Sequence, residues 1–337
     1  MSDKNFDSVV ISSRIRLARN FGDLPFPCKL TDERAFSSVM KRVFDKLKPL
    51  GDFKIFTMEA LSFESRNVMF EKHLISKNLI EEPNFSAVIL SANEEIAIML
   101  NEEDHIREQC ILNGFKLREA YEKLSRLDDE ILKLGNIAFD EELGFLTACP
   151  SNLGTAMRAS IMLFLPALSM LGKSGEVQDV ARTLGLTVRG VMGEGSKAEG
   201  YMFQISNQVS LGSSEEEIIR RVENVVARIC EIELEAREEL LRQNEIEIKD
   251  ICLRAFGVLS SSFRMTSAEF NELIGKVKLG QALGFIKFKN PQLPLSLSKI
   301  VQPYTLMEVS QKNLDGIMRD IFRAEYLRKT LDGAIEI

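Results

Sequence analysis

The sequence predicts an α+β fold: a sheet region with flanking helices over residues 1–243, then a helical region over 244–337. Three observations carry that reading. Short β-rich runs alternate with amphipathic segments before the boundary. Two of those runs, Phe85–Leu90 and Ile96–Leu100, flank Ala92-Asn93-Glu94-Glu95 and read as a hairpin, which makes neighbouring strands there antiparallel. From about Asn244 the glycine-rich loops and arginine-bearing strands stop. Helical segments follow, interrupted by a proline-containing stretch from Asn290 to Pro303.

The 337 residues suffice for one large or two ordinary domains, and the net charge of −7 disfavours general nucleic-acid binding. The start, MSDKNFDSVV, has no basic region followed by an apolar core, so no signal peptide is expected. The longest apolar run, Ile161–Leu171, is too short for a membrane span and contains Pro166. Cys28, Cys110, Cys149, Cys230 and Cys252 are odd in number, widely spaced and form no CxxC pair, which fits a reducing cytoplasm rather than a disulfide or zinc framework. With only His73 and His105 present, a dedicated metal site is not expected.

In order, Val9–Ile11 reads as a strand running into Ser12-Ser13-Arg14-Ile15-Arg16-Leu17. Alternation would put Arg14 and Arg16 on one face and Ile15 and Leu17 on the other. Either an anion sits between the two cations or the strand is an exposed edge. Thr31–Leu47 has helical periodicity, Phe53–Met58 reads as a strand and Ser65–Ile75 as a helix bearing His73. Asn101-Glu102-Glu103-Asp104-His105-Ile106-Arg107 is either a solvated acidic turn or a carboxylate held beside cations. Lys116–Leu134 reads as a helix closed by Gly135. Leu146–Ser160, LTACPSNLGTAMRAS, reads as a short strand, then a loop whose backbone N–H groups and Arg158 converge as an anion site would require.

Val177–Leu184 reads as a helix and Leu186–Val191 as a strand containing Arg189. The glycine-rich segment Gly190–Ser196 reads as a loop with Glu194 at its tip. Gly172-Lys173-Ser174 imitates a P-loop end but lacks the upstream glycine, and the Gly193/Gly195 pair precedes a strand, Tyr201–Val209, rather than a helix. Ser213 and Ser214 with Glu216 and Glu217 form capping boxes for a helix reaching about Arg242. In the helical region Arg319 and Arg323 lie one turn apart in RDIFRA, as a basic face or a phosphate site.

SSRIRLARN, NEEDHIR, CPSNLGTAMRAS and RGVMGEGS, in this order, resemble the ATP:guanidino phosphotransferases. FEKHLIS, RGVMGEGSKAEG and RDIFRA resemble the bacterial protein arginine kinases of the McsB type, as does a start directly at the catalytic region. The resemblance implies a mostly antiparallel sheet flanked by helices, followed by a helical dimerisation and phosphoarginine-binding domain. It implies ATP with Mg²⁺. Ser12, Ser13, Arg14, Ile15, Arg16, His73, Arg107, Arg158, Ala159, Ser160, Ile161, Met162, Arg189, Gly190, Val191, Met192, Gly193 and Glu194 would form the nucleotide site. Glu103 and Glu194 would bind the target guanidinium beside Cys149, with Arg158 catalytic as well. Arg319, Asp320, Arg323 and Ala324 would form a phosphoarginine site.

Implied partners are proteins with exposed arginines, a zinc-binding activator, a heat-shock repressor, a Clp-type protease and a second copy of the chain; membrane and direct nucleic-acid partners are not expected. Ala156 and Met192 depart from the common Gly and Tyr of such proteins without removing a chemical group. The chemistry agrees, because a protonated guanidinium needs carboxylates to grip it and take a proton, and a phosphoryl group in flight needs positive charge around it. Alternatives are a kinase of free arginine or another small guanidino compound, and a phosphoarginine-binding adaptor with a degenerate kinase domain.

Overall fold

A computed structural model describes residues 6–30, 32–190 and 199–336. Its ten strands are β1 (Val10–Arg19), β2 (Phe53–Thr57), β3 (Ala87–Ser91), β4 (Ile96–Leu100), β5 (Ile106–Asn113), β6 (Phe139–Asp140), β7 (Gly144–Phe145), β8 (Met157–Phe164), β9 (Leu186–Gly190) and β10 (Met202–Asn207). All but the small β6–β7 pair join one eight-stranded sheet in the order β2-β3-β4-β5-β1-β8-β10-β9, antiparallel at every junction. The helices are α1 (Glu33–Leu47), α2 (Phe63–Glu71), α3 (Asn78–Glu81), α4 (Leu117–Leu132), α5 (Pro166–Met170), α6 (Ser174–Thr183), α7 (Glu215–Ser261), α8 (Ser267–Ala282), α9 (Leu293–Ile300), α10 (Pro303–Ser310) and α11 (Gly316–Leu331).

Across β1, β5, β8 and β10 the sheet has one dry face and one polar one, whereas β3 and β4 are covered by apolar side chains on both faces. Ile15, Leu17, Cys110, Ala159, Ile161 and Ile205 are buried against Leu117, Ala120 and Leu124 of α4 and Ile218, Val222, Val225 and Ile229 of α7. Ser214 caps α7 reciprocally with Glu217, as its spacing predicts. Ser213 instead accepts from Arg221 while Glu216 pairs with Arg118, so the second box does not form. Helix α7 continues well past Arg242, but its backbone breaks at Asn244 (φ −162°, ψ 64°). Beyond the break, α8 and α11 pack on its second half and α9 on α8, around Phe270, Val277, Phe288, Leu297 and Leu327, while α10 packs on α11, α9 and α2.

Several expectations need correction. Strand β1 is central, flanked by β5 and β8, so the edge-strand alternative for Arg14 and Arg16 falls. Strand β5 was not anticipated. Helix α2 ends at Glu71 because His73 takes a left-handed conformation (φ 61°). No strand leads into the Leu146 loop; only the two-residue β7 precedes it. The segment from Val191 to Ala198, with Met192, Gly193 and Glu194, lies outside the described residues.

Candidate active site

Register builds the site. Within the antiparallel sheet, directly opposed residues share a face and alternate residues along a strand return to it. Arg16 opposes Gln109 on one side and Arg158 on the other. Arg14 opposes Ser160, which opposes Ser206. Ser12 opposes Met162, Met162 opposes Gln204, and Gln204 opposes Arg189. Arg107 opposes Ala18, two residues beyond Arg16. Five arginines from four strands therefore share the face that α4 and α7 do not cover, together with Ser12, Ser160 and Met162. Alternation turns Ser13, Ile15, Ala159 and Ile161 to the dry face. The Ser13 hydroxyl donates to Gly114 O at 2.8 Å and accepts from Lys116 N at 2.9 Å, and the other three side chains are fully buried. None of these four side chains reaches the arginine face.

Like charges this close are costly without an anion. Burial, then the charges of Arg107 and Arg158, hold the Arg14 guanidinium down to about 9, with Glu102 opposing. Burial and the neighbouring Arg14, Arg107 and Arg158 push Arg16 well down, and burial with Arg189 and Arg107 lowers Arg158. Arg107 is tied to Glu102 at 2.5 Å and Arg158 donates to Ser206 Oγ at 3.0 Å. The Nε atoms of Arg14, Arg16 and Arg158 are buried and have no hydrogen-bond partner among the described residues. A buried donor left unpaired costs about 1–3 kcal/mol, and three of them on arginines of one sheet face fit a polyanion such as a nucleotide phosphate chain.

At one end of this face the acidic turn and the Cys149 loop are bound together. Asp104, buried, accepts on Oδ1 from Asn20 Nδ2 at 2.6 Å and from Ala148 N at 2.7 Å. Asn20 also donates to Leu146 O at 3.1 Å and accepts from His105 N at 2.8 Å. The neighbours of these pinned residues are Glu103 and Cys149, so one buried polar cluster sets where both stand. Partial burial, with the Asp104 and Glu102 carboxylates beside it, pushes Glu103 up, against Arg107 and Arg16. A raised carboxyl suits proton abstraction. Cys149 Sγ lies 3.1 Å from Ser151 Oγ. Gly154, at φ +96°, carries the loop under residues 210–211: a Cβ there would meet Leu211 Cα and Ser210 O at 2.6 Å. Two residues on, Ala156 adopts φ 52° with its side chain buried.

Sequence reasoning missed Gln109. Its amide donates to His73 O at 2.6 Å and its carbonyl accepts from Arg14. The signal was available, since Arg107-x-Gln109 alternates as Arg14-x-Arg16 does. Ser206 and Gln204 were missed for the same reason. His73 reaches the site through its backbone carbonyl. Arg189 and Gly190 end β9, next to the undescribed segment.

The RDIFRA helix stands elsewhere, and it differs from the pair of exposed forks expected. Arg323 is only 1% exposed and donates to Val301 O at 3.0 Å, Met265 O at 2.8 Å and Asp320 Oδ1 at 2.9 Å. Arg264 reaches Asp320 Oδ2 at 3.3 Å. Ala324 is buried, while Arg319 remains partly exposed.

Residues 35–236 match the family model described as ATP:guanido phosphotransferase, C-terminal catalytic domain, and residues 245–336 match the protein-arginine kinase McsB C-terminal domain. A protein-arginine kinase of Clostridium acetobutylicum is 43% identical over 334 residues, 98% of each chain. One of Bacillus subtilis is 42% identical over 328 residues, 96% of this chain and 90% of the relative. Among solved structures, lombricine kinase matches at TM-score 0.60 and 25% identity over 68% of this chain and 67% of its own. The duplicated taurocyamine kinase of Schistosoma mansoni shares the fold at TM-score 0.62 and 22% identity, over 80% of this chain and 40% of its own. An arginine-lined antiparallel sheet, two matching family models and relatives 42–43% identical along nearly the whole length place the chain in the ATP:guanido phosphotransferase family, among the protein-arginine kinases.

Proposed function

We propose that the protein transfers the γ-phosphoryl group of ATP to arginine side chains of proteins. The observation that carries this reading is the single sheet face on which Arg14, Arg16, Arg107, Arg158 and Arg189 meet, with Glu103 and Cys149 held at its end. The arginines grip the phosphate oxygens and offset the charge that spreads over the γ-phosphoryl group as it moves. Glu103, and Glu194 from the undescribed segment, hold the target guanidinium by its fork. A guanidinium nitrogen forms the N–P bond, the bond from phosphorus to the β-γ bridging oxygen breaks, ADP leaves, and the nitrogen's proton passes to Glu103. Cys149 stands beside the same guanidinium.

A magnesium ion arriving with ATP would supply further positive charge. Among the described residues no group of three or more His, Cys, Asp or Glu is arranged to hold a metal, so phosphates and water would form most of its shell.

Further assignments extend from the same resemblance. Arg319 and Asp320 offer a second, phosphoarginine-reading site, with buried Arg323 and Ala324 beneath it. Residues 1–243 and 244–337 act as catalytic and dimerisation domains. The partners are a zinc-binding activator, a heat-shock repressor and a Clp-type protease, in the cytoplasm. No described helix is long and apolar enough to cross a membrane.

Glu103→Gln tests the catalytic reading. ATP affinity should stay near wild type while transfer to a protein substrate falls by a hundredfold or more, on the order of 3 kcal/mol of transition-state stabilisation. Near-normal turnover in this variant would remove Glu103 from the chemistry.

A further inference from the structure

Glu71 ends α2 in the sheet region, yet its carboxylate is committed to the C-terminal helices. Oε1 accepts from Tyr304 N at 2.9 Å, and Oε2 accepts from Thr305 N at 2.7 Å and Thr305 Oγ1 at 2.8 Å. These are first-turn groups of α10, whose own N-cap residue, Gln302, supplies no side-chain bond. Glu71 therefore caps a helix 234 residues away, placing a carboxylate where the helix N–H groups and dipole favour one. The Phe63 and Tyr304 rings pack edge to face beside it, centroids 6.0 Å apart.

Direct contacts run from this cap in two directions. Two residues past Glu71, the His73 turn is fixed by His73 N to Phe70 O at 2.8 Å and Leu74 N to Met69 O at 2.9 Å. The His73 carbonyl accepts from Gln109, and Gln109 accepts from Arg14. On the far side Val301, just before α10, accepts from Arg323 at 3.0 Å. Burial lowers Arg323, against the nearby carboxylates of Asp320 and, more weakly, Glu71.

We propose that Glu71 is a positioning residue for the nucleotide-binding arginines: by clamping α10 it fixes the His73 turn, and through Gln109 it sets the Arg14 guanidinium. The proposal rests on the assignment of the arginine face to ATP phosphates. Burial and the charges of Arg107 and Arg158 disfavour the Arg14 cation where it stands, so a fixed Gln109 acceptor matters to its placement. Glu103 and Cys149 are pinned separately by Asp104, so losing the clamp should weaken the grip on ATP and spare the guanidinium side.

The test uses the full chain as wild type, Glu71→Ala, Glu71→Gln and Thr305→Val, each checked for folding by far-ultraviolet circular dichroism and thermal melting. Displacement of a fluorescent ATP analogue gives Kd, and steady-state kinetics gives KM for ATP and for a protein substrate. Glu71→Ala should raise Kd and KM for ATP by about tenfold while KM for the protein stays put. Glu71→Gln, which keeps an acceptor oxygen, should recover part of the loss. Thr305→Val, which removes the hydroxyl contact from the far side, should move ATP affinity the same way by less. Folded Glu71→Ala with wild-type ATP affinity would overturn the proposal. If that variant does not fold, unchanged affinity in both Glu71→Gln and Thr305→Val would do so. Wild type that binds no ATP would instead remove the arginine-face assignment, and the proposal with it.

Discussion

Asp104→Ala is expected to cripple catalysis although Asp104 touches no substrate. The residue is 2% exposed, and both of its hydrogen bonds end on the same oxygen, Oδ1. Truncation leaves Asn20 Nδ2 and Ala148 N without that acceptor, at about 1–3 kcal/mol each, so stability should fall by roughly 2–6 kcal/mol. In molecules that remain folded, the acidic turn and the Cys149 loop are joined only through Asn20, which accepts from His105 N and donates to Leu146 O, and a displacement of about 1 Å at a reacting group costs on the order of a hundredfold in rate. Asp104→Asn makes the expectation sharp. An amide keeps an oxygen at Oδ1 that can accept both bonds, so about 1–2 kcal/mol of stability should go while kcat stays within about fivefold of wild type. Thermal melting and steady-state kinetics on both variants decide the matter. An Ala variant with normal kcat, or an Asn variant as damaged as Ala, would refute the pinning argument.

Cys149→Ser should lower activity without abolishing it. A limiting dose of iodoacetamide should label Cys149 before Cys110, Cys230 and Cys252, because burial pushes two of those thiols up to about 12 and the third to about 11; peptide mapping that finds exposed Cys28 preferred would count against it. Ala156→Gly should raise stability by about 0.5–1 kcal/mol, since relief of the left-handed φ of 52° outweighs the added freedom of the unfolded chain, and a lower melting temperature would contradict this. Glu108 lies fully buried, and burial with the Asp128 charge beside it pushes its carboxyl well up, against Arg19. The folded form thus keeps a proton that the unfolded chain loses above about 4.5, and this group makes stability fall as pH rises beyond that value. Glu108→Gln should therefore melt no lower than wild type at pH 8 and lose part of the pH slope; a large loss at pH 8 would show that the native carboxyl is ionised.

The motifs were legible in sequence because each concentrates unusual chemistry in a few residues, as in Ser12–Asn20 and Asn101–Arg107. Their convergence was not. The arginines meet because β1 lies between β5 and β8, and β5 was hidden because Glu108, Gln109 and Cys110 break the apolar alternation. All three are nonetheless buried, Glu108 beside Arg19 and Asp128 and Gln109 under the His73 turn. Alternation along Ser12–Arg16 separates Ile15 from Arg14 and Arg16, but the α4 and α7 residues that make the Ile15 face dry lie far along the chain. The Arg323 contacts to Val301 and Met265, and the Glu71 cap, span tens to hundreds of residues and leave no local pattern. A left-handed alanine at position 156 is invisible to propensity, because loop closure around Gly154 imposes it.

We propose that the arginine face and Glu103 serve transfer of phosphate to arginine side chains of proteins. Incubation with ATP, magnesium and an arginine-rich protein, followed by mass spectrometry of peptides kept out of acid, tests it most directly. Acid-labile phosphoramidate on arginine is the predicted product, present with wild type and lost with Glu103→Gln. Phosphate found only on hydroxyl side chains, or only on free arginine with the protein unmodified, would contradict it.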